Sequence, residues 1–438
     1  MTGAPPVDAP PVDVVCLGES MVTFLPSRPG RLADVPSFAR AIGGAESNVA
    51  CALATAGHRA KWVSRVGADG FGDHLVEAIG AYGVDVSAVG RDPGRPTGIY
   101  FRTATDRATA GHEVAYYRAG SAASAMSPAT VPYDSVGDGR VLHLSGITAA
   151  LSPDCLELMR TLTVARAGRP LVSFDVNFRA GLWRDAAAGG RVLLELARGA
   201  DLVFVGEDEA EEAWGIKGVE AIREALPEPA VLVVKRGAAG AVVFERCAAS
   251  FPTRPLPEPG ALPPDPRASN AGGAGFAARA AMPARPASED TAGSPTGPGA
   301  EPQFGKRRGG EGAPRSAPAP APDTPAPDTV TAAPAPDTPV PDTVTAVPAP
   351  RVDVVAPVGA GDAFAAGFLS GTLRGLDARA RIRHGHLMAA AALTVPGDLG
   401  EPGRTEDADR LVALDDESWG RLHLAPGWTG ADQEVRTP

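Results

Sequence analysis

Ala356-Pro-Val-Gly-Ala-Gly-Asp-Ala-Phe-Ala-Ala-Gly-Phe-Leu369 is the stretch on which the reading of this chain turns. Small residues at Gly359, Ala360 and Gly361 let the backbone approach a ligand closely. The adjoining segment, residues 363–371, is apolar nearly all round and reads as a buried helix. Three consecutive N–H groups at the start of such a helix, helped by its dipole, suit a polyphosphate or a phosphoryl group in transfer. Asp362 stands at the mouth of that anion site, where a carboxylate is unfavourable unless it has a task. Taking a proton from an attacking hydroxyl is one such task; capping the helix is the plainer alternative. No GxxxxGK[ST] pattern occurs, so this is not a Walker-type phosphate loop.

Upstream of this stretch, short β-branched runs alternate with helical segments. The run Val12-Asp-Val-Val-Cys-Leu17 reads as a buried strand, and further strands are expected at residues 61–66, 140–144, 171–175, 202–205, 230–235 and 240–244. Helices are expected between them, for example at 153–167 and 189–197. Such alternation implies crossover connections. The expected fold is therefore α/β and doubly wound: a mainly parallel central sheet with helices on both faces. Residues 97–118 break the pattern with two strand-like runs joined by a polar segment, a hairpin that would make a small β lid.

Of 438 residues, 52 are Gly and 44 are Pro, and they are concentrated. Between 252 and 350 Pro, Ala, Gly, Asp and Thr dominate, and residues 321–332 recur almost unchanged as 335–346. That composition cannot bury enough apolar surface to offset ordering entropy of ~1–2 kcal/mol per residue. The expected organisation is a disordered tail at 1–11, one domain made of 12–251 and 351–425, a Pro/Ala-rich disordered insertion at 252–350 and a tail at 426–438. The lid would fall at about 31–41 and 97–118. A docking role for the insertion is the alternative to an inert one.

The formal net charge of −11 argues against a nucleic-acid partner, which would need a basic surface. No apolar run approaches the roughly 20 residues that span a bilayer, and the first residues lack the features of a signal peptide. No membrane association and a cytoplasmic location are expected. Cys16, Cys51, Cys155 and Cys247 are far apart and each lies in or beside an apolar run, as for small buried hydrophobes in a reducing compartment.

A second motif, Ile42-Gly-Gly-Ala-Glu-Ser-Asn-Val-Ala-Cys-Ala-Leu-Ala54, opens a helix of small residues. Gly43 and Gly44 permit close approach, and Asn48 is a lone amide that can serve sugar hydroxyls or a backbone group. These two motifs, in this order and about three hundred residues apart, together with the hairpin, resemble the two signatures of the ribokinase-like (PfkB) carbohydrate kinases.

That resemblance implies roles for individual residues. Asp362 would be the catalytic base, with Gly359, Ala360 and Gly361 as the anion hole. Glu209 falls where the family's Asn-x-x-Glu motif organises Mg²⁺ and phosphate through water, although Gly206 replaces the Asn. Lys235 and Gly237 match the border of the ATP site, with Gly359 and Gly361 also contacting ATP. Ala356 departs from the Asp that many members carry. Gly43, Gly44, Asn48, Tyr100, Tyr116 and Arg118 would bind substrate. Thr23 stands where members acting on neutral sugars commonly have Asp. The stretch Phe174-Asp-Val-Asn-Phe-Arg-Ala-Gly-Leu-Trp183 is similar to that of 2-keto-3-deoxygluconate kinases, making Arg179 a substrate or phosphate ligand. By the same resemblance, the expected activity is ATP- and Mg²⁺-dependent phosphorylation of a sugar acid by a homodimer. A kinase of a neutral sugar and a non-catalytic sugar-binding regulator are the alternatives.

Overall fold

Strand-forming runs with side chains buried on both sides build the centre of the molecule. The computed structural model describes residues 12–28, 30–103, 114–246 and 341–430, all of which belong to one compact unit. In chain order the strands of its two larger sheets are β1 (Val14–Leu17), β2 (Met21–Pro26), β3 (Phe38–Gly43), β4 (Ala60–Gly67), β5 (Val89–Asp92), β6 (Ile99–Arg102), β7 (Val114–Tyr117), β8 (Val141–Ser145), β9 (Leu171–Asp175), β10 (Leu202–Gly206), β11 (Val231–Lys235), β12 (Ala241–Arg246) and β13 (Asp342–Val347). Nine of them form one sheet in the order β13-β12-β11-β10-β9-β8-β1-β4-β5. All neighbours run parallel except β11–β12 and β12–β13.

Alternation along each strand explains why both faces need cover. Val14, Cys16, Val231 and Val233 point into one core, which holds the helices Ala45–Thr55, Ala360–Leu373 and Ala378–Leu393. Val15, Leu17, Leu232 and Val234 point into the other, under Pro153–Thr163 and Ala186–Arg198. A period of two with apolar residues at every position is the signature of a sheet packed on both sides. Phe204 anchors the first core, edge-on to Phe368 with ring centroids 5.5 Å apart.

Seven of the nine main-sheet strands fall within two residues of their expected places, whereas β5 and β13 were not expected. Two boundaries move. The expected insertion ends too late, because Asp342–Val347 is the edge strand of the main sheet, antiparallel to β12. Alternating Thr and Val there favour a strand. Val347 is buried, and Asp342 is held by the Arg223 guanidinium at 2.6 and 2.9 Å. The first copy of the repeat, 321–332, lies outside the described residues. At the other end the domain runs past 425, since Trp428 packs into the first core.

The lid is a four-stranded sheet, β3-β2-β6-β7. It is larger than the expected hairpin, because Met21–Pro26 leaves the end of β1 to pair with both β3 and β6. Cys16, Cys51 and Cys155 are buried free thiols; Cys247 lies outside the described residues. Among the described residues no helix is long and apolar enough to cross a membrane.

Candidate active site

Strand order reverses at β1, which lies between β8 and β4. Ligands of open α/β sheets bind at such a switch point, beyond the carboxyl ends of the strands. Here a cleft of about 650 Å³ occupies that place. Its walls come from the residues just after β1, β8, β9, β10 and β11, from the two motif helices and from the lid. Gly43, Gly44, Asn48, Tyr100, Tyr116, Arg118, Arg179, Glu209, Lys235, Gly237, Gly359, Gly361 and Asp362 all line it, and Ala360 lies between two that do.

The helix Ala360–Leu373 begins at the cleft with Gly359 as its N-cap. Gly359 takes φ +78°, and a Cβ there would sit 2.1 Å from the Asp398 carbonyl oxygen, so only glycine fits. First-turn N–H groups of a helix have no partner within it, and here that turn, with Gly359, Gly361 and Asp362, lines the cleft. Burial pushes the Asp362 carboxyl up to about 7. The hydrogen bond from Asn48 Nδ2 to Asp362 Oδ2, 2.9 Å long, opposes that rise, and the nearby Asp175 carboxylate adds to it. A carboxyl poised near neutrality is what general-base chemistry at physiological pH requires.

Beside the anion loop, Lys235 Nζ donates to both oxygens of buried Asp175, at 2.8 and 3.1 Å. The same ammonium lies 3.7 Å from where a Cβ on Gly361 would be. Burial disfavours its charge, but Asp175 and Glu209 outweigh that and raise it. Glu209 accepts backbone N–H bonds on both carboxylate oxygens, from Phe178 and, at 2.9 Å, from Gly206. The glycine that replaces the family's Asn thus serves the Glu through its backbone. Asn177 has φ +45°, the one non-glycine residue with positive φ among the described residues, and it lines the cleft. Such strain concentrates at functional sites. Arg179 is exposed; it donates to the Phe178 carbonyl at 2.8 Å and has no carboxylate partner among the described residues.

At the lid end the arginines are already paired. Arg118 holds buried Glu19 at 2.5 Å, and Ser121 Oγ donates to the same carboxylate. Arg118 Nε is buried without a hydrogen-bond partner. Arg102 pairs with Asp398 at 2.9 Å, and the Tyr100 hydroxyl donates to the other oxygen of Asp398 at 3.1 Å. A Cβ on Gly43 would lie 2.2 Å from that hydroxyl, which explains the glycine. The Tyr116 ring stacks obliquely on Tyr100, centroids 5.4 Å apart. Thr23 is buried in register with Tyr100 and is not part of the cleft lining.

Sequence reasoning missed Glu19, Arg102, Asp175, Asn177 and Asp398 as site residues. Asp175 and Asn177 were legible, since both lie in the Phe174–Trp183 stretch. Glu19 directly follows Gly18 at the end of the first strand, the usual place for a site residue in this fold class. Asp398 had no local signal, because only the close approach of its backbone to Gly359 brings it in. Among the described residues no three His, Cys, Asp or Glu side chains are grouped to hold a metal ion. Glu209 and exposed Asp208 line the cleft.

The pfkB family carbohydrate kinase model matches residues 12–258 and 340–402. The chain is 36% identical over 236 residues to a 2-dehydro-3-deoxygluconokinase of Thermoproteus tenax, covering 53% of this chain and 72% of that protein. It is 31% identical over 208 residues to Fructokinase-2 of Solanum habrochaites, covering 47% and 63%. An uncharacterized sugar kinase from Pyrococcus horikoshii, solved in complex with ATP, shares the fold at a TM-score of 0.60 with 20% identity, covering 90% of this chain and 96% of that one.

Proposed function

Because the chain belongs to the pfkB family of carbohydrate kinases and is a phosphotransferase with an alcohol group as acceptor, we propose that it transfers the γ-phosphoryl group of ATP to the terminal hydroxyl of a sugar acid, 2-keto-3-deoxygluconate in the first instance. The observation that carries this reading is the half-buried Asp362 carboxyl in the first turn of a helix whose start, Gly359 to Asp362, lines the cleft.

In this mechanism Asp362 takes the proton of the terminal hydroxyl as its oxygen bonds to the γ-phosphorus. The bond from that phosphorus to the β–γ bridging oxygen breaks, ADP leaves, and the proton stays on Asp362. The N–H groups of the Gly359–Gly361 turn and the Lys235 ammonium face the charge that spreads over the phosphoryl oxygens. Phosphoryl transfer is mostly positioning and charge neutralisation, so these groups suffice as the protein's share. Mg²⁺ carried in with the nucleotide would add charge neutralisation, with Glu209 holding it through water.

The sugar-acid reading rests on Arg118, with Tyr116 orienting the acid. Glu19 fixes the guanidinium, and its unpartnered Nε–H is the donor a substrate carboxylate would satisfy by a charge-assisted bond. The Thermoproteus tenax relative agrees with this choice. The second reading, a neutral-sugar kinase, is favoured by the Asp398 and Glu19 carboxylates at the lid end, which suit hydroxyls. Exposed Tyr117 and Phe71 on and under the lid support pairing of two copies through the lid sheet, which sedimentation would show.

Coupled ADP release across 2-keto-3-deoxygluconate, 2-keto-3-deoxygalactonate, fructose, ribose and adenosine tests the substrate. Preference for the two sugar acids, lost in Arg118→Ala, is the expected result. A preference for fructose or ribose with Arg118→Ala behaving as wild type would replace it with the second reading.

A further inference from the structure

We infer that Asn48 is a positioning residue for the base: it fixes Asp362 Oδ2 so that Oδ1 alone is presented to the hydroxyl that loses its proton. This rests on the proposed kinase reading and adds to it a division of labour between the two carboxylate oxygens.

Three observations support it. Asn48 and Asp362 come from helices whose first turns meet at the cleft, Ala45–Thr55 and Ala360–Leu373. Asn48 is 3% exposed, so its side chain has little freedom. Its Nδ2 donates to Oδ2 at 2.9 Å, while its Oδ1 is buried without a partner. An amide placed merely to satisfy itself in a core would pair its oxygen too. Here the donor is committed to the base while the oxygen is left unpaired, an arrangement that serves Asp362 rather than the amide itself.

The groups facing the Asp362 carboxyl are Asp175 at the end of β9, Lys235 at the end of β11, Asp398 beside Gly359, and Glu46 in the same first turn as Asn48. Three of these four are acids. Asn48 is the neutral donor that favours the ionised base against burial and those acids. Removing it shifts the balance toward the protonated form, which cannot accept the substrate's proton.

The test uses the full chain. In the resting enzyme the carboxyl titration of Asp362 is followed by carbon NMR of labelled protein, assigned by its absence in Asp362→Asn. The pH profile of kcat/KM is measured in parallel. Asn48→Ala is expected to move both the titration and the acid limb upward by about one unit or more. Turnover at pH 7 should fall roughly tenfold to a hundredfold, the size of a hydrogen bond to a charged group, with part of the loss recovered at higher pH. Asn48→Asp keeps the volume and replaces the donor by an acceptor, so it carries the measurement if the alanine variant does not fold; its titration must also move up. An unmoved titration in a folded variant overturns the inference, even if KM rises. Because the NMR titration needs no substrate, it is read whether or not wild type phosphorylates a sugar. Absence of wild-type turnover would count against the kinase reading and leave the Asn48 result standing.

Discussion

Two carboxyls at the starts of the two motif helices, Glu46 buried and Asp362 half-buried, show how desolvation sets chemistry residue by residue. Glu46 is 1% exposed; Thr148 Oγ1 donates to it at 2.7 Å, and desolvation lifts its carboxyl to about 8. The unfolded chain releases this proton near 4.5, so between there and about 8 the folded state binds a proton that the unfolded state does not. Stability therefore falls as pH rises through that window and levels off above it. Glu46→Gln cannot ionise and keeps an oxygen for Thr148. Thermal unfolding should show the variant gaining on wild type progressively across that window, by a few kcal/mol at the upper end at about 1.4 kcal/mol per unit. A constant difference across that range would contradict the burial argument. Asp362 shifts the same way, up to about 7, and in this case the shift suits the proton transfer proposed for it. The acid at 362 was legible because a carboxylate at a helix N-terminus beside phosphate demands a reason. Glu46 was not, because a Glu in the first turn of a helix ordinarily faces water.

Among the elements, β13 is the instructive one. The same five residues, Asp-Thr-Val-Thr-Ala, end both copies of the repeat at 328–332 and 342–346. The second copy is a paired strand, so what composition alone reads as unstructured is decided by context: the neighbouring β12, the Arg223 clamp on Asp342 and the pocket for Val347. Central strands were legible because apolar residues occupy both faces, whereas the edge strand is polar on one side. The consequence can be tested with two deletions. Arg246 and Asp342 are register partners, so removing 252–338 leaves a short connection between adjacent antiparallel strands. That protein should unfold at the wild-type temperature and keep its activity. Removing 252–350 also takes out β13, exposes the β12 edge and strips cover from Val243 and Phe244. It should be markedly less stable, by several kcal/mol from the loss of buried apolar side chains such as Val347. Equal stability of the two would refute the assignment of Asp342–Val347 to the sheet.

Across the whole molecule, the site depends on bringing Glu19, Asn48, Arg118, Lys235, Asp362 and Asp398 to one cleft from positions nearly four hundred residues apart. The parallel sheet does most of this, since its parallel strands all end at the same edge. Motif reading found the groups that lie in short glycine-rich signatures. It did not find the pairings Arg118–Glu19 and Arg102–Asp398, which arise only when the lid sheet meets the core. Lid residues therefore carry partners that hold them, Glu19 for Arg118 and Asp398 for Arg102. The central claim remains that Asp362 removes the proton from the acceptor hydroxyl. Turnover and equilibrium sugar binding of Asp362→Asn, measured side by side with wild type on the preferred sugar, test it most directly. The account predicts a loss in kcat of roughly a hundredfold to ten-thousandfold, the usual worth of a positioned base, with binding within a few-fold of wild type. Wild-type turnover in that variant would contradict it.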